Sequence, residues 1–430
     1  LLSIAAAGPV DDRRRGRIEL LRAQVAFTVG RGSEGAGLLL KAARRLQSHD
    51  VPLARETYLE AINAAMIAGP MAPSGGQLEA ARAARAAPPA PQPPRPADLL
   101  LDGTAIRITE GQTACVPTLK SALSAFSAAD LNQDDGLRWL WLASITAAGL
   151  WDHDTWALLS ARHLQMTREA GQIANLPLAL TSRIADRVLA GELTEAATLA
   201  EELTAVSEAI GIAVPLYGAL MLVAWQGRED AHAELARRAA EDAALRGEGM
   251  APVISALGAA LLGNGLGRYD QALAAAREAS RNRLPGELGT QTWALAECIE
   301  AAVRSEDSSA ATDAFQQLTE VTSPSGTDWA LGIETRSRAL MSNGTTAEGC
   351  YREAIDRLGR TSVRGELARA HLLYGEWLRR ERRRSQAREQ LRTAHEMFTA
   401  MGMEAFADRA ARELRAIGET ARKRTVETTG

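Results

Sequence analysis

Ala347-Glu-Gly-Cys-Tyr351-Arg-Glu-Ala354 and Ala387-Arg-Glu-Gln-Leu391-Arg-Thr-Ala394 share one spacing: small, large, small at i, i+4 and i+7. Residues so spaced lie on one face of an α-helix, so each octet reads as a helix with a narrow buried stripe. Weaker copies start at Ala311 (Phe315, Leu318), Ala272 (Ala276, Ala279), His232 (Ala236, Ala239), Ala196 (Ala200, Leu203), Ala157 and Ala36 (Leu40, Ala43). The interval is roughly 36 to 43 residues, which suits a repeated helical hairpin. Gly191, Gly227 and Gly267 open Gly-Glu or Gly-Arg turns just ahead of three stripes, where a glycine can end one helix before the next begins. The expected fold is therefore all-α, an α-solenoid (superhelix) of about ten hairpins.

Composition agrees with stacked helices. Of 430 residues 46% are apolar but only 4% aromatic, and alanine is abundant. Runs of alternating β-branched residues, which would signal strands, are absent. A net charge of -4 argues against nucleic acid or an anionic membrane as the partner of the whole surface. From Arg360 onward arginines outnumber carboxylates, most densely over 379–384, which reads as a solvated turn between helices. Cys115, Cys298 and Cys350 are far apart and odd in number, so neither a disulfide frame nor a thiolate metal site is expected, and a cytoplasmic setting is. No apolar stretch approaches the ~20 residues that span a bilayer, so no membrane partner is expected.

Breaks divide the chain. Residues 13–49 read as one hairpin, with Ile18, Leu21, Val25 and Phe27 on its first helix, and Thr57 to Ile67 begins another. The run Pro88-Pro-Ala-Pro-Gln-Pro-Pro-Arg-Pro96 cannot be helical and should be extended. The organisation expected is N-terminal helical hairpins over 1–87, a proline-rich bridge over 88–97, a repeat array over 98–418 and a basic linker over 419–430. Within the array, glycines and prolines at Gly149, Gly171, Gly191, Gly211, Gly227, Gly247, Gly267, Pro285, Pro324, Gly344, Gly359 and Gly402 mark the turns.

Motifs of enzymes fail one by one. Gly30-Arg-Gly-Ser-Glu-Gly35 spells the dinucleotide pattern but has no strand before it. A phosphate-binding G-x-x-x-x-G-K-[ST] loop, H-E-x-x-H and G-x-S-x-G are all missing. Trp151-Asp-His-Asp154 sets two carboxylates beside an imidazole, but a helix-start turn capped by Asp152 or Asp154 explains it. His163, His371 and His395 read as helix residues. No catalytic residue, metal ligand or cofactor is assigned to this chain.

The tryptophans are better placed. If the glycine turns divide the hairpins correctly, Trp139, Trp141, Trp151, Trp225, Trp293, Trp329 and Trp377 fall on or at the end of first helices, and Trp156 is the exception. First helices of such hairpins tend to line the concave surface. Trp139, Trp141, Tyr217, Trp225, Trp293, Trp329, Tyr374 and Trp377 are accordingly the candidate effector-binding residues.

The block from Glu366 through Gly402, with small residues at Gly375, Ala387 and Ala394, resembles tetratricopeptide repeats. Followed by Ala407 to Leu414 and the Arg422-Lys-Arg-Thr-Val-Glu-Thr tail, it resembles the segment ahead of the DNA-binding domain in large ATP-binding bacterial transcriptional regulators of the LuxR family. Trp139-Leu-Trp-Leu-Ala, Gly265-Leu-Gly-Arg-Tyr-Asp-Gln-Ala-Leu and Thr327-Asp-Trp-Ala-Leu-Gly-Ile-Glu are similar to blocks of the same family. Such regulators join an ATPase module, a long helical-repeat region and a helix-turn-helix, and this chain matches the middle part. The resemblance implies a sensor that binds a small-molecule effector or a protein partner on its concave face. It would relay occupancy to flanking ATPase and helix-turn-helix domains, meeting DNA only through the latter. Self-association is a further expectation for partners. The alternatives are a stand-alone tetratricopeptide interaction scaffold, which absence of a helix-turn-helix downstream of Gly430 would favour, and an α/α-toroid acting on carbohydrate. The toroid needs two acids facing across a cleft, with Asp152, Asp154 and Asp328 as first candidates.

Overall fold

The computed structural model describes residues 11–28, 32–69, 76–211, 216–281 and 289–418. Among them are 21 helices and no strand. They pair as hairpins: α1 Asp12–Thr28 with α2 Gly32–Leu46, α3 Val51–Ala68 with α4 Gly76–Ala86, α5 Pro96–Glu110 with α6 Gln112–Ser127, and α7 Gln133–Gly149 with α8 His153–Glu169. Next come α9 Leu176–Ala190 with α10 Leu193–Ile210, α11 Tyr217–Gln226 with α12 Glu229–Arg246, and α13 Met250–Leu266 with α14 Tyr269–Ser280. The last are α15 Thr290–Arg304 with α16 Ser308–Ser325, α17 Asp328–Met341 with α18 Gly344–Gly359, and α19 Arg364–Arg380 with α20 Arg384–Met401, before the closing helix α21 Glu404–Ala416. The chain is an α-solenoid of tetratricopeptide-like hairpins.

The two helices of a hairpin are not equivalent. First helices touch the first helices of neighbouring hairpins as well as their own partners, and α19 buries most of its length. Second helices bury only a stripe: Ala347, Tyr351, Ala354 and Leu358 on α18, and Ala387, Leu391, Ala394 and Phe398 on α20. Small residues at i and i+7 let the helices approach closely, and the large one between them fills the groove. The stripe is thus the apolar attachment of these outer helices to the inner layer.

A left-handed residue recurs at the turn inside successive hairpins, at Trp151, Gly191, Gly227, Gly267, Glu306 and Arg382. Five positions on, the stripe begins, at Trp156, Ala196, His232, Ala272, Ala311 and Ala387. The register of α8 therefore differs from expectation. Ala157 is only partly buried, and the inward stripe is Trp156, Ser160 and His163. Turn positions also shift: Gly149 ends α7 and the turn falls on Trp151, Pro324 lies inside α16, Gly344 opens α18 and Gly359 ends it. On α1 the buried residues are Leu20 and Ala23, whereas Leu21 is 49% and Val25 53% exposed, because this first helix packs mainly on α2. Gly30, Arg31, Pro70, Pro285 and the linker 419–430 lie outside the described residues, and Gly32 to Gly35 form the first turn of α2.

The solenoid winds tightly enough that later hairpins pack on earlier ones. Helix α16 lies against α6, α19 against α9, and α21 against α11 and α13. Lys120 Nζ donates to the Ser325 carbonyl, 205 residues away, at 3.1 Å, and Thr327 Oγ1 donates to the Trp151 carbonyl, 176 residues away, at 2.7 Å. Two glycine turns sit in this seam. Gly227, at φ 80°, would place a Cβ 2.8 Å from the Ala405 backbone nitrogen, and Gly191, at φ 83°, would place one 2.3 Å from Met401 Sδ.

Gly402 has φ 76° but open space around it, so it separates the two demands on a seam glycine. Gly402→Ala is expected to cost about 1 kcal/mol from left-handed strain alone, and Gly227→Ala about 2 to 4 kcal/mol because the coil above must also shift. Equal losses in urea denaturation would refute the seam.

Candidate functional site

Where the earlier and later coils face each other, a cavity of about 170 Å³ remains. Its wall comes from the C-terminal end of α3 (Met66, Ile67), from α7 (Trp141, Ile145, Ala148), α8 (Trp156), α9 (Leu178, Thr181, Ser182, Ala185), α11 (Tyr217, Met221), α13 (Met250, Ile254, Leu257) and α15 (Thr290, Trp293). Glu248, in the turn before α13, is the one carboxylate on it. The Gly249 N–H donates to the Ile67 carbonyl at 3.1 Å, which ties that turn to the end of α3 and fixes Glu248 at the wall. An apolar cavity of ~150 Å³ stays dry and can take up benzene, so this space suits a compact apolar guest.

Glu248 is nearly fully buried. Arg246 Nη2 lies 2.9 Å from Oε2, while Oε1 has no hydrogen-bond partner. Burial pushes the carboxyl up to about 7. Opposite, Trp156 Nε1 donates to Ser182 Oγ at 3.1 Å, which fixes the indole against the wall.

Trp156 and Trp293 begin an aromatic partition. Their ring centroids are 5.8 Å apart, Trp293 lies 5.6 Å from Trp329, and Trp329 lies 5.0 Å from Trp151. Behind it is a smaller space of about 30 Å³, lined by Trp151, Trp225, Trp293 and Trp329 and bounded by Glu297 and Glu366.

Those carboxylates belong to a buried ionic cluster on the inward faces of α15, α17, α19 and α21. Arg369 makes a two-pronged pair with Glu297, at 2.6 and 2.9 Å, and reaches Glu300 at 2.6 Å. Arg409 makes the matching pair with Glu376, at 2.8 and 2.9 Å, and bonds Glu300 at 2.6 Å and the Asn264 carbonyl at 2.9 Å. Arg304 completes Glu376, and Arg336 completes Glu366. Four carboxylates thus face four guanidinium groups. Burial alone would push Glu300 up, but Arg369 and Arg409 outweigh it and hold the carboxyl well below the usual range. Against the same burial, Arg336 and Arg369 hold Glu366 low, and Arg409 and Arg304 hold Glu376 low.

Of the residues singled out by sequence, Trp141, Tyr217 and Trp293 meet at the cavity, Trp329 belongs to the partition, and Trp225 lines the smaller space behind it. Trp139, two residues before Trp141, is off the wall beneath the Arg138 guanidinium. Tyr374 and Trp377 are elsewhere, Tyr374 stacked on Tyr351 at 5.4 Å and Trp377 tilted against it at 6.0 Å. Trp156, set apart as the second-helix exception, is a wall residue. Its signal was legible once the turns are aligned, since it fills a stripe position that alanine holds in most other second helices. Glu248 has no such signal.

The proposed acids do not face each other. Asp152 caps α8 through the Thr155 N–H at 3.1 Å, and Asp328 is paired with Arg357 and Arg360. His153 turns instead to Asp186, at 3.2 Å. Among the described residues no cluster of three or more His, Cys, Asp or Glu could hold a metal ion, and no helix is long and apolar enough to cross a membrane. In the basic stretch, Arg379 pairs with Glu413 and Arg383 with Glu348.

No protein-family model matches the chain, and no curated protein does. Among solved structures it is similar to a Rap protein complexed with competence and sporulation factor, at 10% identity and a TM-score of 0.40, over 94% of this chain and 98% of that one. It is also similar to the APC/C hetero-tetramer Cut9-Hcn1, at 13% identity and a TM-score of 0.31, over 94% of this chain and 87% of that one. At these scores the likeness adds nothing to the fold read from the helices themselves.

Removing one partner from the cluster should be far worse than its surface charge suggests. Arg369→Met leaves Glu297 and Glu300 under-compensated and is expected to cost about 3 to 5 kcal/mol in chemical denaturation. Acid should act on the same groups. Glu300, Glu366 and Glu376 hold protons less readily folded than unfolded, so their contribution is complete above the unfolded carboxyl value of ~4.3 and is lost as pH falls below it. Between pH 7 and 5 the buried Glu248 carboxyl, raised to about 7, and the buried His163 imidazole, lowered to about 4, act in opposite directions, and the steep fall in melting temperature is expected beneath about 4.5, where the cluster carboxylates take up protons. A flat profile down to pH 3 would contradict the cluster.

Proposed function

We propose that this chain is the sensor region of a larger LuxR-type, ATP-binding transcription regulator, and that its effector is a small molecule held in the cavity beside Trp141, Trp156 and Trp293. The cavity carries the proposal. It is apolar, its wall is drawn from both coils, and its size fits a compact molecule better than an extended peptide. A guest that touches Met66 and Trp141 on one side and Met250 and Trp293 on the other binds best at one spacing of the coils, so occupancy favours one pitch of the superhelix.

A relay out of the cavity is available along α15. Trp293, Glu297 and Glu300 follow at i, i+4 and i+7, so one helix face carries the cavity wall and both partners of Arg369. Movement of Trp293 shifts the ionic cluster and with it α19 and α21, the last helices before the C-terminal segment. In the parent protein the ATPase module and the helix-turn-helix would receive that shift. A stand-alone interaction scaffold would instead use the outer surface and leave the cavity idle.

Filling the cavity separates these functions. Ala185 lies on the wall, and Ala185→Phe should occupy the space at a cost to stability of under about 3 kcal/mol. In a thermal-shift screen of cellular metabolites, at least one compound should raise the midpoint of the native protein, by about 2.7 kcal/mol of stabilisation at a hundred times its dissociation constant, and quench or shift tryptophan emission. The same compound should leave Ala185→Phe unmoved. A screen in which no compound distinguishes the two proteins would end the sensor proposal.

A further inference from the structure

The walls of the cavity also restrict the chemistry of what enters. We propose that it selects a compact hydrophobic amine, bound as the ammonium ion with an N–H directed at Glu248 Oε1 and its apolar body against Trp141, Trp156 and Trp293. This rests on the sensor proposal above and specifies its ligand.

Glu248 supplies the first argument. A buried carboxylate oxygen without a hydrogen bond is costly; a cation beside Glu248 favours its ionised form, which can only accept, so the group that then satisfies Oε1 must donate. Arg246 already serves Oε2 from outside the wall. Charge supplies the second. No lysine, arginine or histidine lines the cavity, so a carboxylate or phosphate guest would meet Glu248 with nothing on the wall to offset the repulsion. An ammonium reverses that balance. The aromatic surface supplies the third, since the faces of tryptophan rings attract cations, the more so when desolvated.

Tyr217 Oη, also on the wall and also without a partner, can accept a second ammonium proton. The unpaired Trp293 Nε1 carries no weight, because Trp139, Trp151, Trp225 and Trp329 have unpaired indole nitrogens away from this wall. The raised Glu248 carboxyl is consistent with a site whose balancing cation arrives with the ligand. Met66, Met221 and Met250 give the wall an adaptable apolar surface.

The test uses the whole chain and three probes of nearly one size: 2-phenylethylamine, 2-phenylethanol and 3-phenylpropionate, titrated at pH 7.5 by tryptophan emission and calorimetry. The amine is expected to bind at least tenfold more tightly than the alcohol, and the acid not at all. Glu248→Gln should weaken the amine tenfold or more and change the alcohol less than twofold. Should that variant lose its cooperative melt, Glu248→Asp, which withdraws the carboxylate by one methylene, should weaken the amine several-fold. Equal binding of amine and alcohol, abolished for both in Ala185→Phe, would overturn the amine inference and leave the sensor proposal standing. No binding of the amine overturns the inference whatever the metabolite screen shows.

Discussion

Four buried carboxylates and four buried guanidinium groups, joined across α15, α17, α19 and α21, set the shape of the C-terminal half. Ions removed from water are tolerable only when each is matched, and here the matching is bidentate at Arg369–Glu297 and Arg409–Glu376. An apolar cluster would pack over a range of crossing angles. A planar fork against a carboxylate does not, so the cluster fixes how the first helices meet at the axis and leaves their second helices to hang on their stripes. It also reaches α13 through the Asn264 carbonyl, which joins α21, the last described helix, to the coil beneath it.

The two ends of the superhelix axis are built on opposite principles. Toward the N-terminal half the wall is apolar and incompletely filled; toward the C-terminal half it is ionic, with each carboxylate matched to a guanidinium group. The tryptophans at Trp151, Trp156, Trp293 and Trp329 stand between, and they keep the polar groups of one end from the other. A soft space beside a stiff one suits the proposed sensor role, in which a guest would change the first and the second would transmit the change.

Much of this organisation is legible in sequence because it is local. The stripes at Ala347 and Ala387, the glycine turns at Gly191, Gly227 and Gly267, and the placing of tryptophans on first helices all follow from helix geometry within a dozen residues. What sequence could not supply depends on contacts between distant segments. Arg369 and Glu297 are 72 residues apart and Arg409 and Glu300 are 109, so nothing near either partner announces the pair. Leu21 and Val25 mislead because amphipathic spacing gives a face but not whether a neighbour covers it. Trp156 was visible as an exception, yet its meaning needed the turn register, and Glu248 is a single acid in a turn until α3 closes over it.

The contact of one coil with the next, at Gly191 against Met401 and Gly227 against Ala405, sets this solenoid apart from open ones. An open array can gain or lose a hairpin and merely become longer or shorter, since each unit meets only its neighbours. Here an added hairpin would move every later unit one step around the coil, set the seam glycines opposite the wrong partners and take Glu248 away from the end of α3. The number of hairpins between the two halves is therefore a fixed count, and lineages of this protein should vary in loop length and surface composition before they vary in repeat number.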